Sequence, residues 1–464
     1  MKGLRTAALL GILICTIHCV VQAQQPNVLL VIADDVGLDP VPGYLEGPQK
    51  ATMTNLQALM DQGLTFDKAW ANPVCSPTRA TIMTGRYSNQ TGVLDPNSAS
   101  LLSLDEHTLF EQLSISSPDY ATALIGKWHL GGQPADATYP NQQGVPHFTG
   151  LLTGGVQSYS SWVQSTNGTA QGQSSYITET FTDSAIAWIG RQEDPWFCWL
   201  AYTAPHTPFH LPPASMHSFD TLVDDPDSIA ANPLPYYLAM LESVDSEMGR
   251  LFDSLSWDEM SNTVVIFIGD NGTPGGVIQP PFSPNRAKGS LHQGGVHVPM
   301  VIAGPGVTRA DQHEPALVNT SDLFATIVEL TGGVMDVYED SKSLVPLFGQ
   351  GGLAHRSCLR AESGGIMPQS GWVQRDQTYM YIEGDAVDPE LYNLSLDPFE
   401  EDNLWSPSLS ADLASVVDAL SVVCSVSSSI PVVLNCAADL NGDGLVGVGD
   451  VLLMLGEFGS ICLE

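Results

Sequence analysis

Residues 27–35 read NVLLVIADD, a continuous apolar run that stops at the acidic pair Asp34-Asp35. A strand buried on both faces needs apolar residues at successive positions, so this stretch predicts an interior strand of a parallel sheet. Residues 264–268, VVIFI, repeat the pattern and lead into Gly269-Asp270-Asn271. Residues 121–125 precede Lys127-Trp128-His129, and residues 197–202 precede His206. Apolar runs alternating with helical stretches predict an α/β fold with a large, mainly parallel central sheet flanked by helices. In such a sheet the carboxyl ends of the strands share one edge, and ligands bind in the crevice outside it. Asp34, Asp35, Lys127, His129, His206, Asp270 and Asn271 are therefore predicted to meet in one pocket. A fifth run, residues 298–303, ends in Gly304-Pro305-Gly306 and reads as structural.

Sixteen Lys and Arg against 51 Asp and Glu give a formal charge of -35 over 464 residues. That excludes a nucleic-acid binder, because phosphate backbones require clustered cations. Any anionic ligand must then meet a local basic pocket. The 43% hydrophobic content excludes collagen, coiled coil and wholesale disorder. Lys2 and Arg5, an apolar stretch at 7–21 and Val21-Gln22-Ala23 read as an export signal, which predicts a secreted, periplasmic or extracellular protein. A retained anchor is the alternative, but His18 interrupts the run, and no other segment is long enough to span a bilayer. Of eight cysteines, Cys15 and Cys19 fall in the signal. Cys436 and Cys462 bracket one compact segment and are the pair expected to bond.

Residues 75–86, CSPTRATIMTGR, carry the most information. They resemble the signature of the sulfatase family, C-x-P-x-R followed by T-G-R. The resemblance continues in Pro26-Asn27-Val28 with Asp34-Asp35, in GKWHLG at 126–131, in GDNG at 269–272, and in Lys288-Gly289 ahead of Gly294-Gly295. It ends in LYNL at 391–394, Asp397-Pro398 and Asn403-Leu404. It implies an alkaline-phosphatase-like fold and conversion of Cys75 by a maturation enzyme to formylglycine, an aldehyde that hydrates. One oxygen of the hydrate attacks sulfur and the other later expels sulfate, which a thiol alone could not do. The alternative is a structural or disulfide-bonded Cys75, against which Pro77 and Arg79 at fixed spacing argue. Pro77 suits a first helical turn, which would place Cys75 just before a helix whose free amides favour an anion.

Asp34, Asp35, Asp270 and Asn271, with residue 75 itself, form the expected metal site; hard oxygen donors favour calcium or magnesium over zinc, and the resemblance favours calcium. Arg79, Lys127 and Lys288 are expected to stabilise charge on sulfate or on the diol. By the resemblance, His129 takes a proton from the diol and His206 protonates the leaving oxygen, with His210 competing for substrate contact. Asp39 reads as a loop carboxylate. Gln293 and His297 depart from the family pattern of Glu and Arg, and neither is expected to touch sulfur. The stretch after Asp35 also lacks the aromatic residue often seen there.

The expected organisation is a signal peptide at 1–23, a catalytic domain at 24–350, a small antiparallel subdomain at 351–405, a helix and linker at 406–435, and a tail at 436–464. The tail holds an EF-hand-like loop with Asp439, Asn441, Asp443, Leu445 and Asp450 at positions 1, 3, 5, 7 and 12, and Gly444 at 6. Asp at the last position resembles dockerin modules, implying a second calcium and a docking partner, although only one loop is present. The activity expected is hydrolysis of a sulfate ester, of a small molecule or a polysaccharide. Rivals are a phosphoester or phosphonate hydrolase and a non-catalytic docking protein.

Overall fold

A computed structural model describes residues 25–97, 101–131, 136–335, 338–367, 369–385 and 388–423. The expected signal peptide, the tail loop and the Cys436–Cys462 pair lie outside the described residues. Five strands form the parallel centre of a ten-stranded sheet, in the spatial order Thr263–Gly269, Asn27–Ala33, Trp196–Ala201, Ala121–Lys127 and His147–Leu151. Ala33 lies beside Gly269, Ile32 beside Ala201, and Ala201 beside Gly126. The strands therefore end level with one another, at one edge.

The run at 28–33 is apolar throughout because each face meets a different layer. Leu29, Val31 and Ala33 join a core with Phe181, Tyr237, Leu241 and Val244, from the helices Ile177–Ile189 and Leu234–Ser254. Val28, Leu30 and Ile32 join a second core with Ala80, Phe110 and Leu323, from the helices Cys75–Thr84, Leu109–Ser116 and Asp322–Leu330. The flanks of the sheet are not parallel throughout. Met300–Ala303 runs antiparallel to both of its neighbours, Thr263–Gly269 and Leu64–Phe66. At the far side Trp162–Thr166 and Thr169–Gln173 form an antiparallel hairpin, whose outer strand is polar and mostly exposed, as an edge strand tolerates.

A second, antiparallel sheet of four strands covers residues 359–393. Its inner face, with Leu359, Ala361, Val373 and Ile382, packs on Trp70, Leu291 and Val296 of the first sheet's connections. Its other face meets the helix Ala411–Val423 through Leu420. Cys358, just before the first strand, is disulfide-bonded.

Asp322 clamps this sheet to the larger unit. Its fully buried carboxylate accepts from Arg356 Nε at 2.8 Å, Lys342 N at 2.8 Å and Asn319 N at 3.0 Å, with His355 Nε2 at 3.2 Å. Burial alone would raise this carboxyl, but Arg356 and His355 outweigh it and hold it at about 2. A carboxyl lowered on folding from an unfolded value of about 3.9 stabilises the fold above that value and loses the contribution as pH falls toward 2. Asp322→Asn is expected to cost about 3–5 kcal/mol, the range for breaking a buried ion pair. Urea unfolding at pH 7 measures the loss, and the variant's stability should fall less than the parent's between pH 4 and pH 2.

Candidate active site

Each predicted residue lies at the end of a central strand or in the helix facing it, except Lys288, which sits on the loop between Arg286 and Gln293. Asp34 and Asp35 leave the strand Asn27–Ala33, with Asp35 in the left-handed region at φ 69°. Asp270 and Asn271 follow Thr263–Gly269, Lys127 ends Ala121–Lys127, and His206 lies on the turn after Trp196–Ala201. Gly126 is required where it stands: its φ is 112°, and a Cβ there would fall 1.9 Å from the carbonyl oxygen of Ala201. Cys75 is the first residue of the helix Cys75–Thr84, one position further into the helix than the sequence predicts, with Val74 as the cap. The helix presents its unpaired amides toward the same edge.

The side chains converge. Cys75 Sγ lies 3.2 Å from His129 Nδ1, and Cys75 is 2% exposed. Arg79 donates to Asp270 Oδ2 from Nη2 at 2.8 Å and from Nε at 3.2 Å, and to the carbonyl of Lys127 at 2.8 Å. Lys127 Nζ pairs with Asp34 Oδ2, and Lys288 Nζ with Asp35 Oδ1 at 2.5 Å. His206 Nε2 is 3.9 Å from Asp35 Oδ2, while its Nδ1 lies 2.8 Å from the carbonyl of Thr207. Three carboxylates thus face three cations one to one, a pairing the sequence alone does not give. Arg79 is turned to Asp270 and fully enclosed, so it neutralises that carboxylate and buttresses the Lys127 backbone.

Burial pushes the Cys75 thiol up, with Lys127 and Lys288 opposing. Burial, with Asp270 and Asp35 alongside, pushes the Asp34 carboxyl well above the usual range against the pull of Lys127. For Asp35 burial acts the same way, but Lys288 and His206 overcome it and hold the carboxyl low. Burial and the neighbouring cations keep His129 far below the ordinary imidazole value. His206 is lowered to about 4, chiefly by burial, with Asp35 opposing. Both imidazoles are neutral at pH 7 in this arrangement.

The donor set fits a divalent cation. Among the described residues, Asp34 Oδ1 and Asn271 Oδ1 are buried with no hydrogen-bond partner, which is costly unless something else binds them. Asp34, Asp35 and His206 each place a ligand atom within 4.8 Å of the others'. Asn271 Nδ2 donates to Asp35 Oδ1 at 2.9 Å, which turns its oxygen the other way. Asp270 Oδ1 accepts from Asp35 N at 3.0 Å. Asp39 stands apart from this set: it accepts from Thr273 Oγ1 at 2.6 Å and Gln279 N at 3.1 Å and ties two loops together. Gln293 Oε1 accepts from Trp70 Nε1 at 3.0 Å and His297 Nε2 lies 2.8 Å from the carbonyl of Asp67, so neither serves the crevice.

Several residues of the site carry no sequence signal. Tyr237 donates to the carbonyl of Asp35 at 2.8 Å. Gly154 lies against His129, where a Cβ would come within 2.3 Å of the imidazole ring. Tyr159 donates to carbonyls on the His206 turn. Only the small size of Gly154-Gly155 could have marked that segment. His210 is held by Tyr176 Oη at 3.0 Å and packs against Tyr159 with the rings tilted and their centroids 4.2 Å apart.

Such a crevice, with a cysteine at a helix start, paired cations and an oxygen-rich donor set, suits chemistry on a tetrahedral anionic ester. The family model described as Sulfatase matches residues 26–334, and the chain belongs to the sulfatase family. An arylsulfatase of Klebsiella aerogenes is 24% identical over 435 residues, covering 71% of this chain and 91% of that protein. A solved structure of Ps i-CgsB in complex with k-i-k-neocarrahexaose superposes with a TM-score of 0.74 at 24% identity, over 86% of this chain and 91% of that one. Another, holding its substrate D-glucosamine-2-N,6-O-disulfate, gives a TM-score of 0.67 at 20% identity, over 86% and 96%. The protein is a sulfuric ester hydrolase.

Proposed function

We propose that this protein is an exported sulfatase that removes sulfate from a sulfated carbohydrate, using formylglycine made from Cys75 together with calcium. The observation that carries the reading is the convergence of Cys75, His129, Lys127 and Lys288 beside the unpartnered oxygens of Asp34 and Asn271. The oxidised, hydrated form of residue 75 supplies one oxygen to attack sulfur and a second to expel sulfate. A calcium ion held by Asp34, Asp35, Asp270 and Asn271 would polarise sulfate and favour ionisation of the hydrate.

The chain's own groups do the rest. Three carboxylates balanced by Arg79, Lys127 and Lys288 leave the pocket close to neutral inside a strongly acidic protein. A divalent cation makes it net positive, which is what lets an anionic ester enter. Lys127 and Lys288 sit ready to follow charge from their carboxylates to sulfate oxygens. His129 Nδ1, beside the residue 75 side chain and neutral, is placed to take the proton released when sulfate leaves. His206 donates its Nδ1 proton to the carbonyl of Thr207, so Nε2 faces the crevice. An anion bound there favours the imidazolium form, so substrate binding would load the proton that the leaving alkoxide takes.

The apolar stretch read as an export signal supports secretion and oxidative maturation outside the cytoplasm. The tail loop supports a second calcium and a docking partner. Among the described residues, no helix is long and apolar enough to cross a membrane. The carbohydrate assignment takes its support from the two ligand-bearing structures with the same fold.

A panel of sulfated glycans, with free sulfate quantified, tests the substrate class. Release of sulfate from at least one glycan, and from aryl sulfates faster than phosphate from matched aryl phosphates, is the expected result. Dominant phosphate release would replace the reading with a phosphoester hydrolase.

A further inference from the structure

The segment between the strands His147–Leu151 and Trp162–Thr166 runs past both histidines of the crevice, and Tyr159 is its most enclosed side chain, 3% exposed. Its hydroxyl has one proton, shared between the carbonyls of His206 at 2.5 Å and Thr203 at 3.0 Å. Those two residues already close a turn through His206 N to Thr203 O at 2.9 Å. Tyr159 is itself anchored, because its carbonyl accepts from Ile177 N at 2.9 Å, at the start of the helix Ile177–Ile189. Its ring lies 4.2 Å from that of His210 and 6.0 Å from that of Tyr176. Gly155, four residues earlier, approaches the His206 ring so closely that a Cβ would lie 3.2 Å from it.

We propose that Tyr159 is a positioning residue: its hydroxyl fixes the 203–207 turn, and thereby aims His206 Nε2 at the leaving oxygen. The proposal rests on the proton-donor role given to His206 above. The turn follows the strand Trp196–Ala201 and has no helix or strand of its own between residues 202 and 213. Something outside the turn must therefore hold its backbone. Thr207 O fixes the rotation of the ring, and Tyr159 fixes the backbone that carries it. Loss of the hydroxyl leaves the Thr203 carbonyl with the His206 N–H and, among the described residues, the His206 carbonyl with no donor, so the turn gains freedom while the aromatic packing stays.

Tyr159→Phe keeps the ring and removes only the hydroxyl, so the fold should persist with an unchanged circular dichroism spectrum. The test is the dependence of kcat/KM on the leaving group across a series of aryl sulfates. Proton donation matters little for phenols of low pKa and greatly for those of high pKa, so misaiming steepens the dependence. A loss of about tenfold or more for the poorest leaving group, with little change for the best, is expected, since small misplacements of a catalytic group cost up to about a hundredfold. In a His206→Ala background the Tyr159→Phe change should add nothing. An equal loss across the whole series, or full additivity with His206→Ala, would overturn the proposal. His206→Ala alone reports on the underlying reading: if that variant shows no steeper dependence, the proton-donor role fails, and the positioning role with it. If it does and Tyr159→Phe does not, only the positioning role fails.

Discussion

Cys75→Ala is expected to lower sulfate release by about 10⁴-fold or more, the scale of loss when a covalent nucleophile is removed. The fold should tolerate the change. The Cys75 side chain is small, and among the described residues its sulfur has one hydrogen-bond partner, His129. The helix that starts at Cys75 is secured elsewhere, through Ala80, Ile82 and Met83 in the core and Arg79 on Asp270. Thermal unfolding within a few degrees of the parent, combined with lost turnover, is the result that assigns the deficit to chemistry. Turnover above a tenth of the parent's would remove Cys75 from the mechanism.

Removal of divalent metal by a chelator is expected to reduce activity by about 10²-fold or more, because a Lewis acid at a reacting oxyanion is worth several kcal/mol. It should also lower the unfolding temperature. Without the cation, Asp34 Oδ1 and Asn271 Oδ1 are buried without hydrogen-bond partners among the described residues; with it, a ligand bound only by the native state stabilises that state. Calcium should restore both properties at lower concentration than magnesium, since an all-protein oxygen cage suits the larger ion. Asn271→Ala should weaken calcium in the same titration. Full activity in a preparation shown by elemental analysis to hold no metal would contradict the assignment.

The centre of the sheet was legible because its chemistry is local. Strands buried on both faces must be apolar at successive positions, and 28–33 and 264–268 are. The carboxyl-edge rule then places Asp34, Asp35, Lys127, His129, His206, Asp270 and Asn271 together without any knowledge of the helices. The direction of Met300–Ala303 was not legible, since an apolar run looks the same read either way. The one-to-one pairing of Arg79, Lys127 and Lys288 with Asp270, Asp34 and Asp35 was hidden as well, because spacing along the chain says nothing of which cation meets which carboxylate. Tyr159 and Tyr237 were invisible for a further reason: each acts through a hydroxyl on a distant carbonyl, and a buried Tyr, in the loop at 159 or in the helix at 237, looks like any other core aromatic.

The most direct test of the central claim is mass spectrometry of the peptide containing residue 75, taken from a preparation that releases sulfate from its substrate. The account predicts an aldehyde in place of the thiol in the active fraction, with activity rising in proportion to the converted share. An active preparation in which residue 75 is an unmodified cysteine throughout would contradict it.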